Sequence, residues 1–166
     1  IANLVLSSPV TTVVSLSMPV SSVIIFDNVR IPKGRIQVNA NTALQFACAA
    51  CIIGPDIFSV GNFAGIYFTG NPPSLQANLT DCVFQNNDVS GFAPLQLSFL
   101  GGGSSVSVFF FGSTRFHDNA LSAGSSMASA FYFFISSTSQ NILLHLDGLT
   151  FQSNSVAASQ SGAYRM

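Results

Sequence analysis

The chain has 166 residues, of which 48% are hydrophobic and only 7% charged, and its net charge is -1. That length allows one domain with its own core, while the charge excludes a nucleic-acid partner, because Arg30, Lys33 and Arg35 are the sole basic grouping. All six acidic residues are Asp, and Lys33 is the single lysine. A chain without Glu has little to cover a helix surface. Its Ser, Thr, Asn and Gln suit strands and turns instead, so an all-β protein with no substantial helix is expected.

The first element, "LVLSSPVTTVVSLSMPVSSVIIF", alternates apolar and polar residues around Pro9 and Pro19. A spanning helix needs about 20 mostly apolar residues, so this reads as strand and no membrane span is expected. It lacks the basic leader of a signal peptide, and a start at Ile1 rather than Met reads as a processed piece of a longer precursor. Next come "SSVIIFDNVRI", "GRIQVNA" and then "LQFACAACIIG", which carries Cys48 and Cys51 at CxxC spacing. A zinc site would need a second ligand pair, and Cys82, His117 and His145 lie far apart in sequence. A thioredoxin-like site would need a strand-to-helix context that this segment does not supply. The cysteines therefore read as buried small residues or as a structural disulfide from Cys82 to Cys51 or Cys48. No cofactor is expected.

"NFAGIYFTG" and "QANLTDCVF" follow, the latter containing the glycosylation sequon Asn78-Leu79-Thr80. "GGGSS" at 101–105 lacks the Lys and helix of a phosphate loop and reads as a flexible loop. Beyond it the bursts "SVFFFGSTRF", "ASAFYFFIS", "NILLHLDGLTF" and "GAYRM" continue the strand pattern.

Three segments align without gaps: "DCVFQNNDVS", "STRFHDNALS" and "GLTFQSNSVA". Each places Asn three residues after Phe: Phe84 with Asn87, Phe116 with Asn119, Phe151 with Asn154. A weaker upstream register adds Phe58, Ile31 and Leu4 as anchors. Strand, turn, strand and loop recurring every 26 to 35 residues is the pattern of a parallel β-solenoid. Stacked coils at about 4.8 Å bury what one coil cannot. The anchors should then stack on one another. The Asn residues should sit in positive-φ turns and hydrogen-bond along the column.

"FQNN", "FHDN" and "FQSN", with the later "SGAY", resemble the Phe-x-x-Asn and Gly-Gly-Ala-Ile repeats of the polymorphic outer-membrane proteins. Those are right-handed parallel β-helix surface adhesins, and similar pectate-lyase-like repeats occur in large protist surface proteins. The resemblance covers about residues 80–166. Its Gly-Gly-Ala-Ile half is degraded, to "GFAP" and "NFAG". It implies a right-handed parallel β-helix, here of about six coils in a single domain over 1–166, and an extracellular or cell-surface setting.

Chemistry is sparse. Asp27 and Asp147 precede their anchors by the same interval, but Gly54 and Gly112 interrupt the series, so the carboxylates read as outward polar positions. His117 takes a turn place where Gln85 and Gln152 stand, and His145 alternates with Leu144 and Leu146, so neither reads as a catalytic base. The start "IANLVLSS", with Leu4 and Leu6, and the end, with Ala163, Tyr164 and Met166, are strand-like and uncapped. Bare strand edges template further pairing, and a heterologous contact that does not close builds fibres. The expectation is a non-enzymatic extracellular filament, coat or fibre subunit that stacks on itself or on further repeats of a longer chain. A glycan-binding adhesin that displays 101–105 and 120–129, and a pectate-lyase-like enzyme, are the alternatives.

Overall fold

The computed structural model describes residues 3–18, 20–57, 63–89, 93–99, 105–121, 130–135, 141–156 and 164–165. Among them every regular element is a strand, so no helix there is long and apolar enough to cross a membrane. The chain opens with β1 (Val5–Met18), β2 (Ser22–Asp27) and β3 (Arg30–Ala40). It continues through β4 (Leu44–Ala49), β5 (Ile52–Ile53) and β6 (Ala64–Gly70). Then come β7 (Ser74–Thr80), β8 (Val83–Gln85), β9 (Asp88–Val89) and β10 (Leu95–Phe99). The next passage is β11 (Ser105–Phe111), β12 (Arg115–His117), β13 (Ala120–Leu121) and β14 (Phe131–Ile135). The last is β15 (Asn141–Leu146), β16 (Thr150–Gln152), β17 (Ser155–Val156) and β18 (Tyr164–Arg165).

These passages lie on one another in a solenoid-like arrangement. A five-stranded sheet runs β15-β11-β7-β4-β2, and a three-stranded one runs β17-β13-β9. The largest sheet runs β16-β12-β8-β5-β3-β6-β10-β14-β18, with β1 beside β3. It curls because β3 serves both limbs: Arg30 and Ile31 pair with β5, while Gly34–Ala40 pair with β6. Every strand pair among the described residues is parallel, which excludes the hairpins of a β-sandwich.

Period-two alternation sets the faces. In β7, Leu75, Ala77 and Leu79 point inward while Ser74 and Gln76 face out. In β11 the buried set is Val106, Val108 and Phe110. The second apolar bursts form one ladder: Ile36, Ile66, Leu95, Phe131 and Tyr164 occupy successive rungs. The core lies between this ladder and the five-stranded sheet. Phe46 of β4 meets Phe68 of β6 edge-on at 4.9 Å, and Phe110 of β11 meets Phe131 of β14 at 5.5 Å.

The anchor column differs from the sequence reading at two places. Ile31, Ile53, Phe84, Phe116 and Phe151 stand in register. Ile53 thus holds the place assigned to Phe58, which lies outside the described residues. Val5 pairs with Arg30, so Leu4 falls short of the column. Even spacing misplaced both, because loop lengths vary while the corner geometry does not.

Left-handed residues mark the corners. Asn3, Asn28, Ala50, Asp81, Gly112 and Gly148 have φ of 51, 50, 51, 53, 67 and 70°; the last five follow the strands β2, β4, β7, β11 and β15 that feed the first corner, and Asn3 precedes β1. The backbone N–H of Asn28, Ala50 and Asp81 each donates to the carbonyl of Ala49, Thr80 and Phe111 in the neighbouring passage. At the second corner the left-handed residues are Asn86, Asp118 and Ser153, at φ 53, 54 and 52°. The expected positive φ therefore belongs to the residue before each repeat Asn, not to the Asn itself.

Gly112 permits a direct test. A Cβ there would lie 2.3 Å from Asp81 Oδ1, the atom that accepts the Ser113 N–H at 2.7 Å. The Asp81 carboxylate can swing away, and Ala50 already occupies the equivalent corner. Gly112→Ala should therefore cost only about 1–2 kcal/mol, measurable as a lower denaturant midpoint with an unchanged slope.

Candidate functional site

Three structures concentrate what this fold offers chemically: a polar ladder, a thiol cluster and an exposed end of the core. The ladder is Asn87, Asn119 and Asn154. Asn87 Nδ2 donates to Asn119 Oδ1 at 3.0 Å, and Asn119 Nδ2 donates to Asn154 Oδ1 at 2.9 Å. The same side chains bind backbone: Asn87 N–H donates to Asn119 Oδ1, and Asn119 Nδ2 donates to Phe84 O, each at 3.1 Å. Asn87 and Asn119 are fully buried, so the amides replace water for the N–H groups of Asn87 and Asn119, which no strand pairs.

The cysteines converge. Cys48 is an inward residue of β4, and Cys51 lies at the first corner just before β5. Ile52 pairs with Val83, and the Val83 N–H donates to Cys51 O at 2.8 Å. That places Cys51 and Cys82 at the same point of adjacent rungs. All three Sγ atoms lie within 4.8 Å of one another, and all three residues are buried free thiols. Cys82 Sγ donates to Cys48 O at 3.1 Å, and Cys51 Sγ donates to Ala49 O at 3.3 Å.

Hydrogen bonds from Cys48 and then Cys82 pull the Cys51 thiol far down, to about 3. The bond to Cys51, with burial, pushes Cys48 well up. For Cys82 the bond to Cys48 lowers the pKa, but the bond to Cys51 and burial outweigh it and raise it to about 12. The three thiols therefore titrate together, and Cys51 is the sulfur that gives up its proton first. Sequence distance hid this site. The available signal was the offset: Cys51 stands two residues before Ile53, as Cys82 stands two before Phe84.

The titratable residues named from sequence are dispersed. Asp27 is level with Ala49, Thr80 and Phe111, so carboxylate-free rungs separate it from Asp147. Asp56 pairs with Arg30, and Arg35 lies over the Tyr67 ring at 5.5 Å. Asp118 contacts His117 Nδ1 at 2.7 Å on the second corner. His145 faces outward against Phe109 and Phe111, with ring centroids 6.0 and 5.5 Å away. Asn78 of the sequon is not in a loop. It is a half-buried residue of β7 with Ala47 and Phe109 on its two sides.

The exposed end is the face of β15 and β16. Ile142, Leu146 and Phe151 pair with the fully buried Val106, Phe110 and Phe116, yet are 50%, 55% and 39% exposed. On the opposite margin of the five-stranded sheet, Val23 and Ile25 of β2 are also exposed, but on its outward face level with Gln45 and Ala47, while Ile24 and Phe26 face the core. Of the assembly residues named from sequence, Leu4 is exposed, Leu6 lies in β1, and Tyr164 opens β18 beside Phe131. Ala163 and Met166 lie outside the described residues. No protein-family model matches the chain, nor does any curated protein or solved structure.

Proposed function

We propose that this chain is a right-handed parallel β-helix of about six coils that serves as a non-enzymatic structural subunit. It stacks head to tail with further copies into an extracellular filament, coat or surface fibre. The observation that carries this reading is the exposure of Ile142, Leu146 and Phe151, core-directed residues with buried counterparts one rung away. β15 and β2 are the two margins of one parallel sheet. The outer edge of one is therefore complementary in strand direction to the outer edge of the other, and that contact is heterologous and open-ended. The successive first-corner residues from Asn3 to Gly148 support the coil number, and the strong preference for right-handed parallel crossovers supports the hand. The extracellular setting rests on the repeat resemblance. A glycosidase would need two facing carboxylates, which the spacing of Asp27 from Asp147 disfavours.

A second reading, a glycan-binding adhesin, is favoured by a groove of 360 Å³ along the five-stranded sheet. Ser22, Gln45, Gln76 and Ser107 line it, in the hydroxyl- and amide-rich chemistry that suits sugars.

Sedimentation of the purified chain separates these readings. The unmodified chain should form a concentration-dependent series of species. Ile142→Lys with Leu146→Lys should remain monomeric with an unchanged β-sheet circular dichroism spectrum, because charges on the exposed rung cannot be buried unpaired. An unmodified chain that stays monomeric at every concentration would refute self-stacking, and further repeats of a longer protein would then be the natural cover.

A further inference from the structure

The thiol cluster lies outside the assembly reading and is independent of it. The chain contains three cysteines, and all three meet at one point although Cys82 is 31 residues from Cys51. Exposures of 1% for Cys48, 1% for Cys51 and 0% for Cys82 keep water away from the sulfurs. An ion about 2.3 Å from each of three sulfurs needs them about 3.8–4.0 Å apart. The present separations, all within 4.8 Å, approach that with small side-chain adjustments. The coordination number then selects the metal. Among the described residues no His, Asp or Glu joins the group, and burial denies the site a water ligand. Zinc in a closed site takes four protein ligands. Soft thiolate sulfur favours copper(I), which does not need a fourth ligand.

We propose that Cys48, Cys51 and Cys82 form a buried all-sulfur site for a single soft monovalent cation of the copper(I) class. One sulfur bound as thiolate leaves the site neutral with the ion, and each further sulfur that ligates as thiolate releases its proton to solvent, so loading strengthens as the pH rises, against the cost of buried negative charge. The site ties β4 and the first corner of one passage to the corner of the next. Occupancy therefore stabilises the folded chain by mass action.

The test is titration of the reduced, full-length chain with copper(I) under anaerobic conditions, in competition with a coloured copper(I) chelator. It is run on the folded protein and on protein refolded with the ion. The expected result is one copper per chain by native mass spectrometry, a raised Tm, and protection of all three thiols from alkylation. Cys51→Ser and Cys82→Ser should each weaken binding by at least ~100-fold, since loss of a ligand should exceed the cost of losing an outer-shell partner. X-ray absorption of the unmodified copper-loaded chain needs no variant to fold, and it should show sulfur-only ligation by three atoms. Binding unaffected by either serine substitution would overturn the proposal. So would ligation by nitrogen or oxygen, tighter stoichiometric binding of zinc(II), or failure of the unmodified chain to compete with the chelator.

Discussion

Phe116→Ala is expected to destabilise the fold by about 3–5 kcal/mol, the range for removing a fully buried aromatic ring. Phe116 is 0% exposed. Its ring stacks on Phe84 at 4.4 Å and 10° on one side, and on Phe151 at 5.3 Å and 16° on the other. It also meets Phe110 edge-on at 6.3 Å. Passages above and below both lean on this ring, so the cavity cannot collapse without a shift in two rungs at once. Phe151→Ala is the internal control: its ring caps the same column but is 39% exposed, so its cost should be well under half. Urea unfolding of the two variants in the monomeric Ile142→Lys, Leu146→Lys background checks the ratio, because stacking of a further copy would cover Phe151. Equal costs in that background would mean that Phe151 is not at the open end of the column.

Asn119→Ala should cost about 2–5 kcal/mol, although it removes few atoms. Asn119 Oδ1 accepts from both the backbone and the side-chain nitrogen of Asn87, and its Nδ2 donates to Phe84 O and Asn154 Oδ1. Truncation strands the buried Asn87 N–H and removes the amide acceptor of Asn87 Nδ2, at about 1–3 kcal/mol each. Asn119→Asp separates geometry from chemistry. Asp keeps the acceptor but sets a second oxygen against Phe84 O and Asn154 Oδ1, so the ionised form is disfavoured and the folded pKa lies above the unfolded value of about 3.9. The protonated form is the compatible one. The variant should approach the stability of the unmodified chain below about pH 4 and lose stability relative to it as the pH rises through the folded pKa. Denaturation midpoints at several pH values measure this directly. A pH-independent deficit would show that the ladder is not what the side chain contributes.

The parallel, all-β character was legible because it rests on local features. Alternation in "SLQANLT" and "SVSVFFF" fixes the inward faces of β7 and β11. The Phe-x-x-Asn repeat fixes the registers of Phe84, Phe116 and Phe151, because no gaps intervene around the corner. Ile53 was missed in favour of Phe58 since aromatic identity and even spacing outweighed the offset from the preceding corner. That same error concealed the cysteine cluster. Once Ile53 is the anchor, Cys51 and Cys82 take equivalent places, and the column runs Val29, Cys51, Cys82, Thr114 and Leu149. The turn residue was misread by one position because Asn is equally suited to a left-handed corner and to a buried amide ladder. Composition does not tell which of two adjacent polar residues does which.

The most direct test of the account is electron microscopy of the purified chain at neutral pH, with helical averaging of any fibres. Unbranched fibres are expected, with an axial rise per subunit near the height of about six rungs, roughly 29 Å at a strand spacing of about 4.8 Å. The rise should be lost together with the fibres in the Ile142→Lys, Leu146→Lys variant. Discrete single particles, or fibres whose subunit repeat is unrelated to a whole number of rungs, would contradict end-to-end continuation of the parallel sheets.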